Sequence, residues 1–91
     1  MKSVFKLAVL AAAVSFAPAA FASPECTKKP QSEWLTQEQM KEIIAKMDFK
    51  AVKVFQISGS CYEVYAHTKD GHRAEIYFNP VTGKVVEKNV D

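Results

Sequence analysis

The stretch that most constrains this chain is Cys61 to Val86, CYEVYAHTKDGHRAEIYFNPVTGKVV. Two alternating runs, Cys61–Thr68 and Arg73–Asn79, flank Lys69-Asp70-Gly71, and Asp-Gly between alternating runs is a strong hairpin signal. A second turn follows at Asn79-Pro80-Val81-Thr82-Gly83, where proline pre-sets its own φ and Gly83 can take a positive one. Lys84–Lys88 then reads as a further strand, with Asn89-Val90-Asp91 expected to fray. Three strands joined by two tight turns commit the chain to an antiparallel sheet.

The alternation also assigns faces. Tyr62, Val64 and Ala66 point one way, and Cys61, Glu63, Tyr65 and His67 the other. In the next strand Ala74, Ile76 and Phe78 oppose Glu75 and Tyr77. Upstream, Phe49–Ser58 (FKAVKVFQIS) is rich in β-branched and aromatic residues but mixed in parity. Val52 and Val54 share one parity, Phe55 and Ile57 the other, which calls for a bulge near Val54-Phe55 or burial on both faces. Ser58-Gly59-Ser60 turns the chain into the next strand.

Glu33–Phe49 is the helix candidate. Thr36 followed by Gln39 fits a capping box, with Leu35 and Met40 placed for a hydrophobic staple. Met40, Ile43, Ile44 and Met47 fall at i, i+3, i+4 and i+7, one apolar stripe that reads as core. Glu42 and Lys46 form an i, i+4 pair worth about 0.3 kcal/mol. Trp34 is expected to pack over the first turn. Laying the stripe on the small apolar side chains of the sheet gives an α+β fold: one helix packed on one face of a small three- to four-stranded antiparallel sheet.

Residues 1–22 carry a different signal. Lys2 and Lys6 precede an apolar run from Leu7 to Phe16, Pro18 breaks it, and Ala20-Phe21-Ala22 offers small residues for cleavage before Ser23. This is the pattern of a secretory signal peptide. The run is shorter than the ~20 residues a spanning helix needs, so no membrane span is expected after cleavage. Cys26 stands behind Ser23-Pro24-Glu25 rather than at the cleavage point, against lipidation. The expected mature chain keeps 69 of the 91 residues, divided into a leader over 23–33 and a domain over 34–91. A periplasmic or secreted location follows.

Twelve basic and ten acidic residues are present, and Lys2 and Lys6 account for the whole excess. A neutral mature domain without a basic cluster lacks the concentrated positive field that nucleic acid or an anionic membrane would require. Its two cysteines, Cys26 and Cys61, allow one intramolecular pairing, and an oxidising compartment favours a disulfide. Closing that loop stabilises by about 4 kcal/mol on the chain-entropy model. Zinc thiolates are the alternative, but there is no CxxC, and His67 and His72 lack ligand spacing. Ser23–Ser32, with its two prolines, is then an extended leader held at Cys26.

Catalysis finds no support. No Ser, Thr or Cys stands in a recognisable relation to an oriented histidine. His72 lies in a turn and His67 at a strand end. Glu63 and Glu75 are expected as cross-strand neighbours on an open sheet face, which offers no cleft for paired-carboxylate hydrolysis. No glycine loop for phosphate, haem motif or cofactor site is present. The chain does not read as an enzyme. What remains is the face opposite the helix, where Glu63, Tyr65, Glu75 and Tyr77, with Phe55 beside them, are expected outside. Aromatic residues among polar groups make a protein-recognition patch, or else a set of cross-strand pairs that stabilise the sheet. Two further readings stand beside it: a small-ligand or metal-binding envelope protein using His67 and His72, and a structural envelope component.

Cys61-Tyr62-Glu63-Val64 and Tyr77-Phe78-Asn79-Pro80-Val81-Thr82-Gly83-Lys84-Val85-Val86, in that order behind a helix, resemble the PepSY domain family over Trp34 to Glu87. Asp48 stands where the family commonly has glycine, and Asn79 replaces the commoner aspartate, although Asn serves the same turn. The family is similar to modules in propeptides of secreted metallopeptidases and has no catalytic residues to carry over. The resemblance implies a protein-binding module outside the cytoplasm, with an extracytoplasmic peptidase as the partner to inhibit or regulate.

Overall fold

The computed structural model describes residues 22–91, so the expected signal peptide lies outside the described residues except for Ala22. A short 3-10 turn at Gln31–Glu33 leads to helix α1, Gln37–Ala45. Four strands follow: β1 (Phe49–Ser58), β2 (Cys61–Thr68), β3 (Arg73–Phe78) and β4 (Val85–Val90). They form one antiparallel sheet in the order β1-β2-β3-β4. The fold is α+β, with the helix on one face of four strands.

The cap sets where α1 begins. Thr36 Oγ1 accepts from the Gln39 N–H at 3.1 Å, while Gln39 Oε1 accepts from the Thr36 N–H at 2.8 Å. Both halves of the capping box are therefore closed. Residues before an N-cap are extended, so Trp34 and Leu35 stay outside the helix, which is shorter than the Glu33–Phe49 span its periodicity suggests. The Lys46 and Met47 N–H groups fold back onto Ile43 and Ile44 carbonyls and tighten the last turn. Leu35 donates its N–H to Pro80 O at 2.8 Å, tying the helix entry to the β3–β4 turn. Trp34 packs edge-on against Tyr62, centroids 5.4 Å apart, and its Nε1 donates to Lys29 O. The Glu42–Lys46 pair does not close; neither residue takes part in an ion pair among the described residues.

Met40 and Ile44 bury their side chains against Tyr62, Val64, Ala66, Ala74, Ile76 and Phe78, the alternate residues of β2 and β3. Phe78, fully buried, is the largest side chain sealed in this layer. Its burial alone is worth about 2–3 kcal/mol. Ile43, Met47 and Leu35 close the flanks.

β1 switches faces as its mixed parity demands, but earlier than expected. The register shifts between Phe49 and Ala51 and again between Val52 and Val54, leaving Lys50 and Lys53 as the extra residues. Val52, Phe55 and Ile57 thereby face the same side as Ala66, Val64 and Tyr62, while Val54 and Gln56 face the other. Phe55 is thus on the helix side, tilted against Tyr62 at 5.1 Å, and not beside Tyr65 as expected.

β4 also departs from expectation. Asn89 and Val90 do not fray; they pair with Glu75 and Ala74. Asp91 fastens the end, its carboxylate accepting from the Arg73 N–H, Nε and Nη2 and its own N–H reaching Arg73 O. In the β3–β4 turn, Asn79 Oδ1 accepts from the Val81 N–H, and Gly83 sits at φ 79°. A Cβ at Gly83 would stand 2.6 Å from Ile43 Cδ1, so both conformation and helix packing demand glycine there.

Candidate functional site

The face opposite α1 is built from two cross-strand rows. Gln56, Glu63, Tyr77 and Glu87 are successive partners across β1 to β4; Val54, Tyr65, Glu75 and Asn89 form the parallel row beside them. Glu63 therefore lies opposite Tyr77, and Glu75 opposite Tyr65. The two carboxylates are cross-strand neighbours on the diagonal.

Hydrogen bonds join the rows. Glu75 Oε2 accepts from Tyr77 Oη at 2.9 Å and Tyr65 Oη at 3.2 Å. Gln56 Nε2 donates to Glu63 Oε1 at 2.9 Å. Asn89 Nδ2 bridges Glu87 Oε2 at 3.0 Å and Glu75 Oε1 at 3.5 Å. Buried polar groups are stable only when partnered in this way.

Not all of this face is outside. Glu63 and Tyr77 are each 3% exposed, against 40% for Tyr65. The expectation that both lie on an open surface is overturned, and for Tyr77 the cover is the leader. Cys26 and Cys61 form a disulfide, Cα atoms 5.2 Å apart, and both sulfur-bearing residues pack with Tyr77 in a second buried cluster. The Cys26 N–H donates to Ser60 Oγ at 2.8 Å, and the Ser23 and Ser58 hydroxyls are hydrogen-bonded. The leader thus covers the end of the face nearest the β1–β2 turn and leaves Tyr65 open at the other.

The electrostatics follow from this partial cover. Burial pushes the Glu63 carboxyl up, but hydrogen bonding from its neighbours, Gln56 among them, outweighs it and holds the group below its ordinary value. Desolvation and the adjoining carboxylates push the Tyr65 hydroxyl up to about 12. The same causes raise Tyr77. Both phenols stay protonated donors at neutral pH. The arrangement can hold a fixed pattern of hydroxyl and carboxylate groups, and its open part is Tyr65 with the half-buried Glu75.

His67 pairs across to Arg73 at the open end, and His72 is exposed, 3.9 Å from Asp70. Among the described residues no three His, Cys, Asp or Glu side chains converge to hold a metal. Gln56, Glu87 and Asn89 belong to the face but were not singled out from the sequence. Gln56 was hidden by the bulge at Lys53, and Asn89 by the assumption that β4 ends at Lys88.

The family model described as peptidase propeptide and YPEB domain matches residues 6–89. The chain belongs to this PepSY family. No curated protein and no solved structure gives a match. PepSY membership supports a propeptide-like or inhibitor-like module in general, a domain type that is typically extracytoplasmic and non-catalytic. Among the described residues no helix is long and apolar enough to cross a membrane.

Proposed function

We propose that this PepSY protein is exported, loses residues 1–22, and acts outside the cytoplasm as a small binding module for a protein partner. The partner in this reading is an extracytoplasmic peptidase, which the module inhibits or regulates without chemistry of its own. One observation carries the reading: an exposed tyrosine, Tyr65, donates to Glu75 beside a buried row of Glu63 and Tyr77. An aromatic anchor fixed in place before binding loses little freedom on binding, a property of energetic centres in protein interfaces. Tyr65 and Glu75 make the contact; Glu63 and Tyr77 hold them in position.

Photo-crosslinking from position 65 in the protein's own envelope tests this. The expected result is one dominant adduct with a peptidase, whose activity falls when the purified protein is added and recovers with Tyr65→Ser. A non-peptidase adduct would reject the regulatory reading alone. No adduct above background would reject the binding face as well.

A further inference from the structure

We propose that the groove between α1 and β1 is a separate docking site, which receives an extended acidic protein segment as an added strand on the free edge of β1. Helix α1 centres its apolar stripe on β2 and β3, and the helix side of β1 is left half uncovered. Val52 is 45% and Ile57 42% exposed there. Between helix and strand lies a groove of 240 Å³ lined by Lys41, Ile44, Ala45, Val52 and Phe55. Val52, Ile57 and this groove leave apolar surface on β1 that α1 does not cover.

The edge itself is suited to strand addition. β1 is the first strand of an open sheet, and from Val54 to Ser58 its register with β2 runs without interruption. Five residues offer about 17 Å of backbone for pairing. In such augmentation main-chain hydrogen bonds supply affinity, and alternate side chains entering a groove supply selectivity.

Charge selects the occupant. No acidic side chain lines the groove. Lys41 holds its Nζ 5.4 Å from the centre of the Phe55 ring, at the groove wall. Lys50 and Lys53 occupy the two bulges of the edge strand. None of the five ion pairs among the described residues uses Lys41, Lys50 or Lys53. Lysines at bulges oppose pairing of an edge with its own copy, because like charges meet. An acidic segment meets the opposite condition: apolar side chains of one parity cover Val52 and Phe55, and carboxylates of that same parity beyond them meet Lys41.

The probe is a fluorescent heptapeptide with Val at its third and fifth positions and Glu elsewhere, so that one face carries both Val side chains flanked by Glu. It is titrated by anisotropy into the purified exported protein, with the same peptide carrying Lys for Glu as control. The acidic peptide is expected to bind saturably, to weaken with added salt, and to weaken at least about tenfold in K41E/K53E. Amide exchange should slow along Val54–Ser58 and stay unchanged in β4. Both lysines are exposed, so a thermal melt should match the parent protein. If that variant melts early, Lys53→Gln with Lys41→Gln gives the same reading with a smaller loss. The proposal is overturned if the peptide fails to saturate, if the basic peptide binds equally well, if protection appears on β4, or if β1 protection instead follows protein concentration through self-association. Tyr65→Ser should leave the peptide affinity unchanged, which keeps this site distinct from the opposite face.

Discussion

The two faces of the sheet bury side chains by different means. On the helix side, Val64, Ile76 and Phe78 have no exposure because α1 lies on them. On the other side, Glu63 and Tyr77 reach 3% exposure in a polar network, and a leader held by one covalent bond packs on Tyr77. The first face is sealed by shape and apolar area, the second by a tether and satisfied hydrogen bonds. Apolar burial tolerates loss of one neighbour in proportion to the area lost. A buried carboxylate depends on every partner it has.

Breaking the helix-side layer should produce the largest effect. Phe78→Ala is expected to lose about 3–5 kcal/mol in denaturant unfolding, because its side chain is fully buried in the helix-side core. A loss below about 1 kcal/mol would mean that α1 collapses into the space.

Releasing the leader should come next. Cys26→Ala with Cys61→Ala is expected to cost about 2–4 kcal/mol. It should also increase amide exchange at Glu63 and Tyr77 before it affects Val64 or Ile76. Uniform exchange across both faces would show that the tether serves the whole fold and not one face.

Removing a single donor sharpens the contrast further. Tyr77→Phe deletes one of the hydrogen bonds to Glu75 while Tyr65 and Asn89 remain, so a loss of about 1 kcal/mol is expected. The smallest effect is a titration. Tyr65 has a folded value of about 12, above the ordinary phenol value of about 10. Its contribution is therefore complete below pH of about 10 and is lost as pH rises toward 12. The slope of melting temperature against pH in that window should flatten in Tyr65→Phe. On the acid side, Glu63 is held low, so its contribution is present above its unfolded value and lost as pH falls through the folded one.

How far the sequence revealed this molecule depends on the distance over which each feature is determined. The β2–β3 hairpin and the β3–β4 turn were legible because Asp70-Gly71 and Asn79 to Gly83 settle their own backbone within a few residues. The start of α1 was legible in Thr36 and Gln39, yet periodicity carried the expected helix over Trp34 and Leu35, which the cap excludes. Parity announced a switch in β1 but could not decide which residue was extra; pairing with Tyr65 and Ala66 decided it for Lys53. Asn89-Val90 looked frayed because the clamp from Asp91 to Arg73 joins residues 18 apart. The burial of Glu63 and Tyr77 was the least legible feature. Alternation correctly assigned them a face, but whether Tyr77 was open depended on the path of the leader.

The Cys26–Cys61 bond spans the 3-10 turn, the helix and all of β1. A backbone cut anywhere between these cysteines makes two chains without releasing either. After a cut before Phe49 the whole sheet stays in one piece, with the leader still tied to it. A nicked molecule would travel as one species until its disulfide is reduced, so integrity of the chain and integrity of the fold are separate quantities in this protein.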